Sequence, residues 1–268
     1  MTENKFGKIS KISLRTRFAD GKTQIEDMCF TAPYKIMSPF KKVNGGISVM
    51  PLCASAGIME GDSQEFSFHI GEGSDIEILS QSFEKIHKMK SKSGLATRHI
   101  RADVEKNSVL YYYPQPVIPY ADSAFESNME IHLEDQTSNL FLLEIISCGR
   151  SASNERFAYR KFASKVMIYR EGELIYRDNT KYEPQKMDME GIGFYEGYSH
   201  MANIFITMPK EGIQDCIWSI LEQEKHCDGG VTRLAQGDLA IRVFGNRGQK
   251  LQEIAERIKD VYEHPEMY

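Results

Sequence analysis

The sequence predicts a mainly β fold: a large antiparallel or superhelical β body with two α-helices near the C-terminus. Three observations predict it. Short runs of alternating apolar and polar residues recur along the chain, with turn signals between them. The links between these runs are too short for helical crossovers, which favours antiparallel pairing. Helical periodicity stands out in only two stretches, both close to the C-terminus.

Taken in order, Lys8 to Phe18 sets Ile9, Lys11 and Ser13 against Ile12 and Leu14. The Asp20-Gly21 dipeptide then turns the chain into Thr23 to Phe30, which predicts a hairpin. Further strands are expected over Ile47 to Ala54, Gln64 to Ile70, Asp75 to Ser80 and Ser108 to Tyr113. Met129 to Leu133, Leu140 to Cys148, Phe157 to Tyr169, Glu173 to Asn179 and Met201 to Met208 continue the series. Pro114, Pro116 and Pro119 deny ladder donors and break helices, so Pro114 to Pro119 reads as an extended connection. The Lys/Ser-rich patch Lys88 to Ser93 reads as a mobile surface loop, and no fixed repeat period appears.

Gly212 to His226 places Ile213, Cys216, Ile217, Ile220 and Leu221 on one helical stripe. Gly248 to Tyr262 does the same with Leu251, Ile254, Ala255, Ile258, Val261 and Tyr262. Between them, Val231 to Leu234 and Leu239 to Phe244 form a small hairpin after the Gly229-Gly230 turn. The expectation is a single domain over 1–268: a β body to about 208, then a helix–hairpin–helix portion over about 209–262 that caps one open face. His264 to Tyr268 reads as a loose tail.

Composition narrows the class. The chain has 268 residues, 41% hydrophobic and 26% charged, with a net charge of −5, so it can build a sizeable core and offers no broad basic field to nucleic acid. No apolar run approaches the roughly 20 residues needed to span a bilayer, so no membrane association is expected. The opening stretch is polar, without the apolar core of a secretory signal. Cys29, Cys53, Cys148, Cys216 and Cys227 are odd in number and scattered, which favours free thiols and a cytoplasmic setting.

A search for chemistry finds little. The seven histidines are dispersed, with no HxH, no HExxH and no cysteine-pair spacing. His226-Cys227-Asp228 is the one dense trio of ligand types, yet adjacent side chains point apart; a His near the negative end of a helix dipole is the plainer reading. Phe244 to Leu251 follows a strand and opens a helix, but its glycines lack Walker spacing, so no nucleotide site is expected. No GxSxG elbow is present. Asp62, Glu144, Glu155 and Asp178 fall near strand ends; a converging acid/base pair and ordinary pairing with Arg150 or Arg156 both remain open.

Four segments carry a resemblance. They are Ser55-Ala-Gly-Ile-Met-Glu-Gly61-Asp62, Ser80-Gln-Ser-Phe-Glu-Lys-Ile-His87, Tyr113-Pro-Gln-Pro-Val-Ile-Pro-Tyr120 and Cys148-Gly-Arg-Ser-Ala-Ser-Asn-Glu155. In this order, in a chain of this length, they resemble the urease accessory protein family UreD/UreH, with the Ser-Phe-Glu-Lys-Ile-His form of the UreH-like branch. The family often has Gly where this chain has Asn154, and favours Thr-Thr-Gln-Ala where it reads Ser80-Gln81-Ser82-Phe83.

The resemblance implies a urease maturation factor rather than an enzyme. Such a scaffold binds UreF, reaches the GTPase UreG through UreF and docks on apo-urease, with two copies held in a hetero-oligomer. It implies no nucleotide and no permanently bound cofactor; nickel passes in transit. On motif position, Asp62, Glu144 and Asp178 are the expected contacts for passing nickel, with Ser80 and Ser82 as polar walls. For Asp62, a turn residue bonding its own backbone stands equally open. Val117, Ile118, Tyr120 and Phe125, on or near the Pro-rich segment, are candidates for partner contact, or else pack on their own core. The alternative function is a β-fold hydrolase or isomerase using a strand-end carboxylate pair.

Overall fold

The computed structural model describes residues 9–267, so the polar stretch 1–8, with Lys8 at the expected start of the first strand, and Tyr268 lie outside it. β1 (Ile9–Ala19) and β2 (Lys22–Phe30) form the expected hairpin. Asp20 and Gly21 both take positive φ, 54° and 72°, as a two-residue loop with the native strand twist requires. Four short strands follow: β3 (Tyr34–Ile36), β4 (Phe40–Lys41), β5 (Ile47–Val49) and β6 (Pro51–Cys53). β3 pairs with β6 as a small ribbon, and β4 and β5 start a second sheet.

From β7 (Ser63–Ile70) onward the chain coils between two facing sheets. It crosses to β8 (Asp75–Leu79) and the short β9 (Glu84–Ile86), then returns to the first sheet as β10 (Ala96–Val104). It crosses again to β11 (Val109–Tyr113) and β12 (Val117–Pro119), returns as β13 (Ala124–Leu133), crosses as β14 (Asn139–Ser147) and returns as β15 (Lys161–Arg170). β16 (Glu173–Tyr182) closes the first sheet as an antiparallel edge. β17 (His200–Ile206), α1 (Ile213–Gln223), β18 (Asp228–Arg233), β19 (Leu239–Gly245) and α2 (Gly248–Glu263) complete the chain.

The mainly β class with two C-terminal helices matches the sequence expectation; the largely antiparallel pairing does not. β1, β7, β10, β13 and β15 are parallel neighbours, and so are β5, β8, β11 and β14. Parallel neighbours need a long return path. Here a strand of the opposite sheet supplies it, so short links no longer imply antiparallel order. The superhelical half of the expectation is the one the coil realises.

Alternation then decides what each strand buries. Phe66, Ile100, Met129 and Val166 of the first sheet meet Ile78 and Leu142 of the second in one internal cluster. Ala96, Phe125 and Phe162 meet Ile146 and Met201 in another. The opposite phase of β14 (Phe141, Leu143, Ile145) points outward, where α1 and α2 cover it with Ile217, Ile220, Leu251, Ile254 and Ile258. At one end Arg170 and Asp238, both almost fully buried, form a two-pronged ion pair at 3.1 and 2.7 Å, and Asp238 also accepts the Met208 N–H at 3.0 Å.

Candidate functional site

A polar row separates the two internal clusters, and strand register creates it. Across the inward face of the first sheet, Ser10, Gln64, Arg98, Ser127, Ser164 and Thr180 stand side by side on six adjacent strands. Two residues further along the inner four of these strands come Phe66, Ile100, Met129 and Val166. The second sheet answers with Glu144, Asn203 and Arg242 in one register. Because neighbouring strands are successive coils, the row runs along the superhelix axis.

A cavity of about 530 Å³ opens at the β1–β7 side of this row. Its walls mix apolar Ile12, Phe68 and Ile78 with Asp62, Ser80, Ser82, Glu84 and Arg98. Behind it lies an inner cavity of about 30 Å³, room for a water or two, lined by Ser127, Glu144 and Ser164. The two share Glu84, Arg98, Tyr112 and Pro114 as common walls. Arg98 donates from Nε to Gln64 at 2.7 Å, pairs with Glu84, and lies over the rings of Phe66 and Phe125 at 5.3 and 5.4 Å.

The sequence candidates fall along this line. Asp62 is a turn residue whose carboxylate accepts the Met59 N–H at 2.8 Å, and it also lines the outer cavity. Ser80 and Ser82 line the same cavity, Ser80 also accepting the Gln115 N–H at 2.8 Å. Glu144 lines the inner cavity and accepts a hydrogen bond from Ser164 at 2.9 Å. Burial, with a smaller push from Asp178, lifts its carboxyl up to about 7 against the opposing effects of Ser164 and Arg98. Asp178 lines neither cavity; it is taken by Arg242 at 2.9 Å and Thr180 at 2.8 Å, at the far end of the row. Glu155 sits apart, held by Arg150.

The partner-contact candidates divide. Phe125 is 2% exposed, because the alternation of β13 turns it inward against Phe162 and Arg98, and it presents nothing to a partner. Val117 and Ile118 are half-buried on β12, and Val117 packs on the internal cluster. Tyr120 lies half-buried beneath the Arg150 guanidinium at 4.3 Å and against His87.

Sequence reading missed Gln64, Arg98, Glu84, Ser127 and Ser164 as site residues, and missed β10 altogether. The available signal was a shared phase: Gln64, Arg98, Ser127 and Ser164 each precede an apolar residue by two positions. Among the described residues, no three His, Cys, Asp or Glu side chains converge as a metal site, and no helix is long and apolar enough to cross a membrane.

Comparison with known proteins gives one answer. Residues 8–267 match the family model described as UreD urease accessory protein. A urease accessory protein UreD of Acetivibrio thermocellus is 35% identical, covering 97% of this chain and 99% of that protein. A urease accessory protein UreH of Helicobacter pylori strain G27 is 34% identical over 95% of each chain. A UreD of Flavobacterium johnsoniae is 27% identical, covering 94% of this chain and 91% of its own length.

Proposed function

The chain belongs to the UreD urease accessory protein family, and from that membership we propose that it is a non-catalytic scaffold that passes nickel to apo-urease along its polar row. Urease maturation follows from the family. The finer reading assigns it UreF as direct partner, the GTPase UreG through UreF, apo-urease as the docking target, and two copies in a cytoplasmic complex. It acts as one folding unit, binds no nucleotide and keeps no resident metal; nickel is cargo.

One observation carries the passage reading. A row of hydroxyls, amides and carboxylates runs between two apolar clusters and joins a cavity of about 530 Å³ to the half-buried Glu144. A polar row inside a two-sheet core forgoes apolar packing, so it needs a use. Nickel(II) takes nitrogen and oxygen ligands. Dispersed single carboxylates and hydroxyls offer it water and weak contacts in sequence, whereas a closed cage of His and Cys would retain it. Asp62, Ser80 and Ser82 receive the ion in this account, Glu144 takes it inside, and Asp178 stands at the exit.

The test is reconstitution of apo-urease activation from purified UreF, UreG, GTP and nickel, with and without this chain. Activation that depends on the chain, and a complex that co-purifies with UreF and urease, is the expected result. Full activation in its absence contradicts the proposal. A turnover assay serves the alternative: a hydrolase or isomerase would act with no partner present.

A further inference from the structure

We propose that Arg98 is the gate of this corridor: clamped by Glu84 and Gln64 it holds a divalent cation in the outer cavity, and its release from Glu84 opens the inner one. The inference rests on the passage reading above and assigns that passage its control point.

Position comes first. Arg98 and Glu84 are walls of both cavities, so the ion pair is the partition between them. Arg98 is 8% exposed and fixed on every side, by Gln64 at 2.7 Å, by Glu84, and by two aromatic faces. A planar fork held in this way does not drift with thermal motion as a surface lysine does.

Charge comes second. The row offers a cation Asp62 on the outer side and Glu144 on the inner side, and sets a permanent positive charge between them. In a poorly hydrated interior, a guanidinium repels a doubly charged ion far more strongly than it would in water. The same register position is Ser on β13 and β15, so the alternation of the sheet does not by itself call for a guanidinium there. As a wall for a cation, Arg98 is the wrong residue unless its task is to stop the ion.

The means of opening is also present. Glu84 is a carboxylate that a metal ion in the outer cavity can take as a ligand, and a dication competes for it better than a monocation does. Arg98 then needs a new acceptor. Tyr34, 92% buried, stands beside it with a hydroxyl that has no hydrogen-bond partner, and its ionisation is coupled to the charges of Arg98 and Glu84. Glu144, on the inner side, also feels the Arg98 charge. Release of Arg98 toward the Tyr34 hydroxyl exchanges its ion pair for a hydrogen bond to a neutral phenol while the metal ion takes over the Glu84 charge, with no covalent bond made or broken, and clears the partition.

Nickel-edge anomalous diffraction from crystals of the full-length chain, soaked in nickel chloride, tests this. The wild type should show nickel in the outer cavity beside Asp62, and nickel beside Glu144 only where Arg98 has left Glu84. Arg98→Gln should show it in both. Nickel beside Glu144 in the wild type with Arg98 still on Glu84, or its absence there in Arg98→Gln, overturns the gate. Nickel in neither cavity of any crystal counts against the passage reading as well, so the two failures are distinguishable. Should Arg98→Gln not fold, the isosteric Glu84→Gln decides: with the carboxylate that clamps Arg98 removed, nickel should reach Glu144. Nickel beside Asp62 with the inner cavity still empty in that variant overturns the proposal.

Discussion

Ser164 on β15 donates its hydroxyl to Glu144 on β14 at 2.9 Å, a hydrogen bond that crosses the gap between the two sheets. Glu144 therefore keeps one partner in a cavity too small for a full hydration shell, which is why its carboxyl holds a proton more tightly than an exposed one.

This predicts a pH dependence. The carboxyl titrates near 4.5 when exposed and at about 7 in the folded chain. Between those values the native state binds more protons than the unfolded state, so stability falls as pH rises from 4.5 to 7 and is level above. At about 1.4 kcal/mol per unit, the loss is at most on the order of 3 kcal/mol. Glu144→Gln should flatten that slope in urea unfolding followed at pH 5 and pH 8. An unchanged slope would assign the pH dependence elsewhere.

Asp238→Ala strands the Arg170 guanidinium in the core, where both partners are at most 3% exposed. The expected cost is about 3–5 kcal/mol. Replacing the pair together, Arg170→Met with Asp238→Leu, should recover most of it. Thermal melting distinguishes the two; equal losses would mean that packing, not the stranded charge, dominates.

Ile217 is fully buried where α1 lies on the outer face of the second sheet. Ile217→Asp should cost about 4 kcal/mol by burying an unpaired charge. Unchanged melting would detach this helix from the core.

Gly57 stands at the cavity mouth with φ 148°, and a Cβ there would lie 2.4 Å from the Lys85 carbonyl and 2.9 Å from the His87 ring. Gly57→Ala should therefore cost about 1–3 kcal/mol and displace the Lys85 strand edge. Denaturant unfolding measures the first and the His87 imidazole resonances the second. Wild-type values for both would show the mouth to be soft.

Much of this was legible in the sequence, for identifiable reasons. The Asp20-Gly21 hairpin and both amphipathic helices follow local rules, and they stand where those rules put them. Parallel pairing was not legible, because alternation is the same in either direction and the return strand lies in another sheet. β10 was obscured because Arg98 occupies an inward position that pattern reading reserves for an apolar residue. The Asp62 and Ser80 end of the site was carried by motif position. Its interior was hidden, since serines at 127 and 164 look like solvent-facing residues until register aligns them with Arg98.

The most direct measurement is the nickel content of urease matured with Asp62→Ala in place of the natural chain. The Asp62 carboxylate bonds its own turn and lines the cavity, so the variant should still co-purify with UreF while urease receives markedly less nickel. A fully loaded, fully active urease from that variant would contradict passage through this cavity.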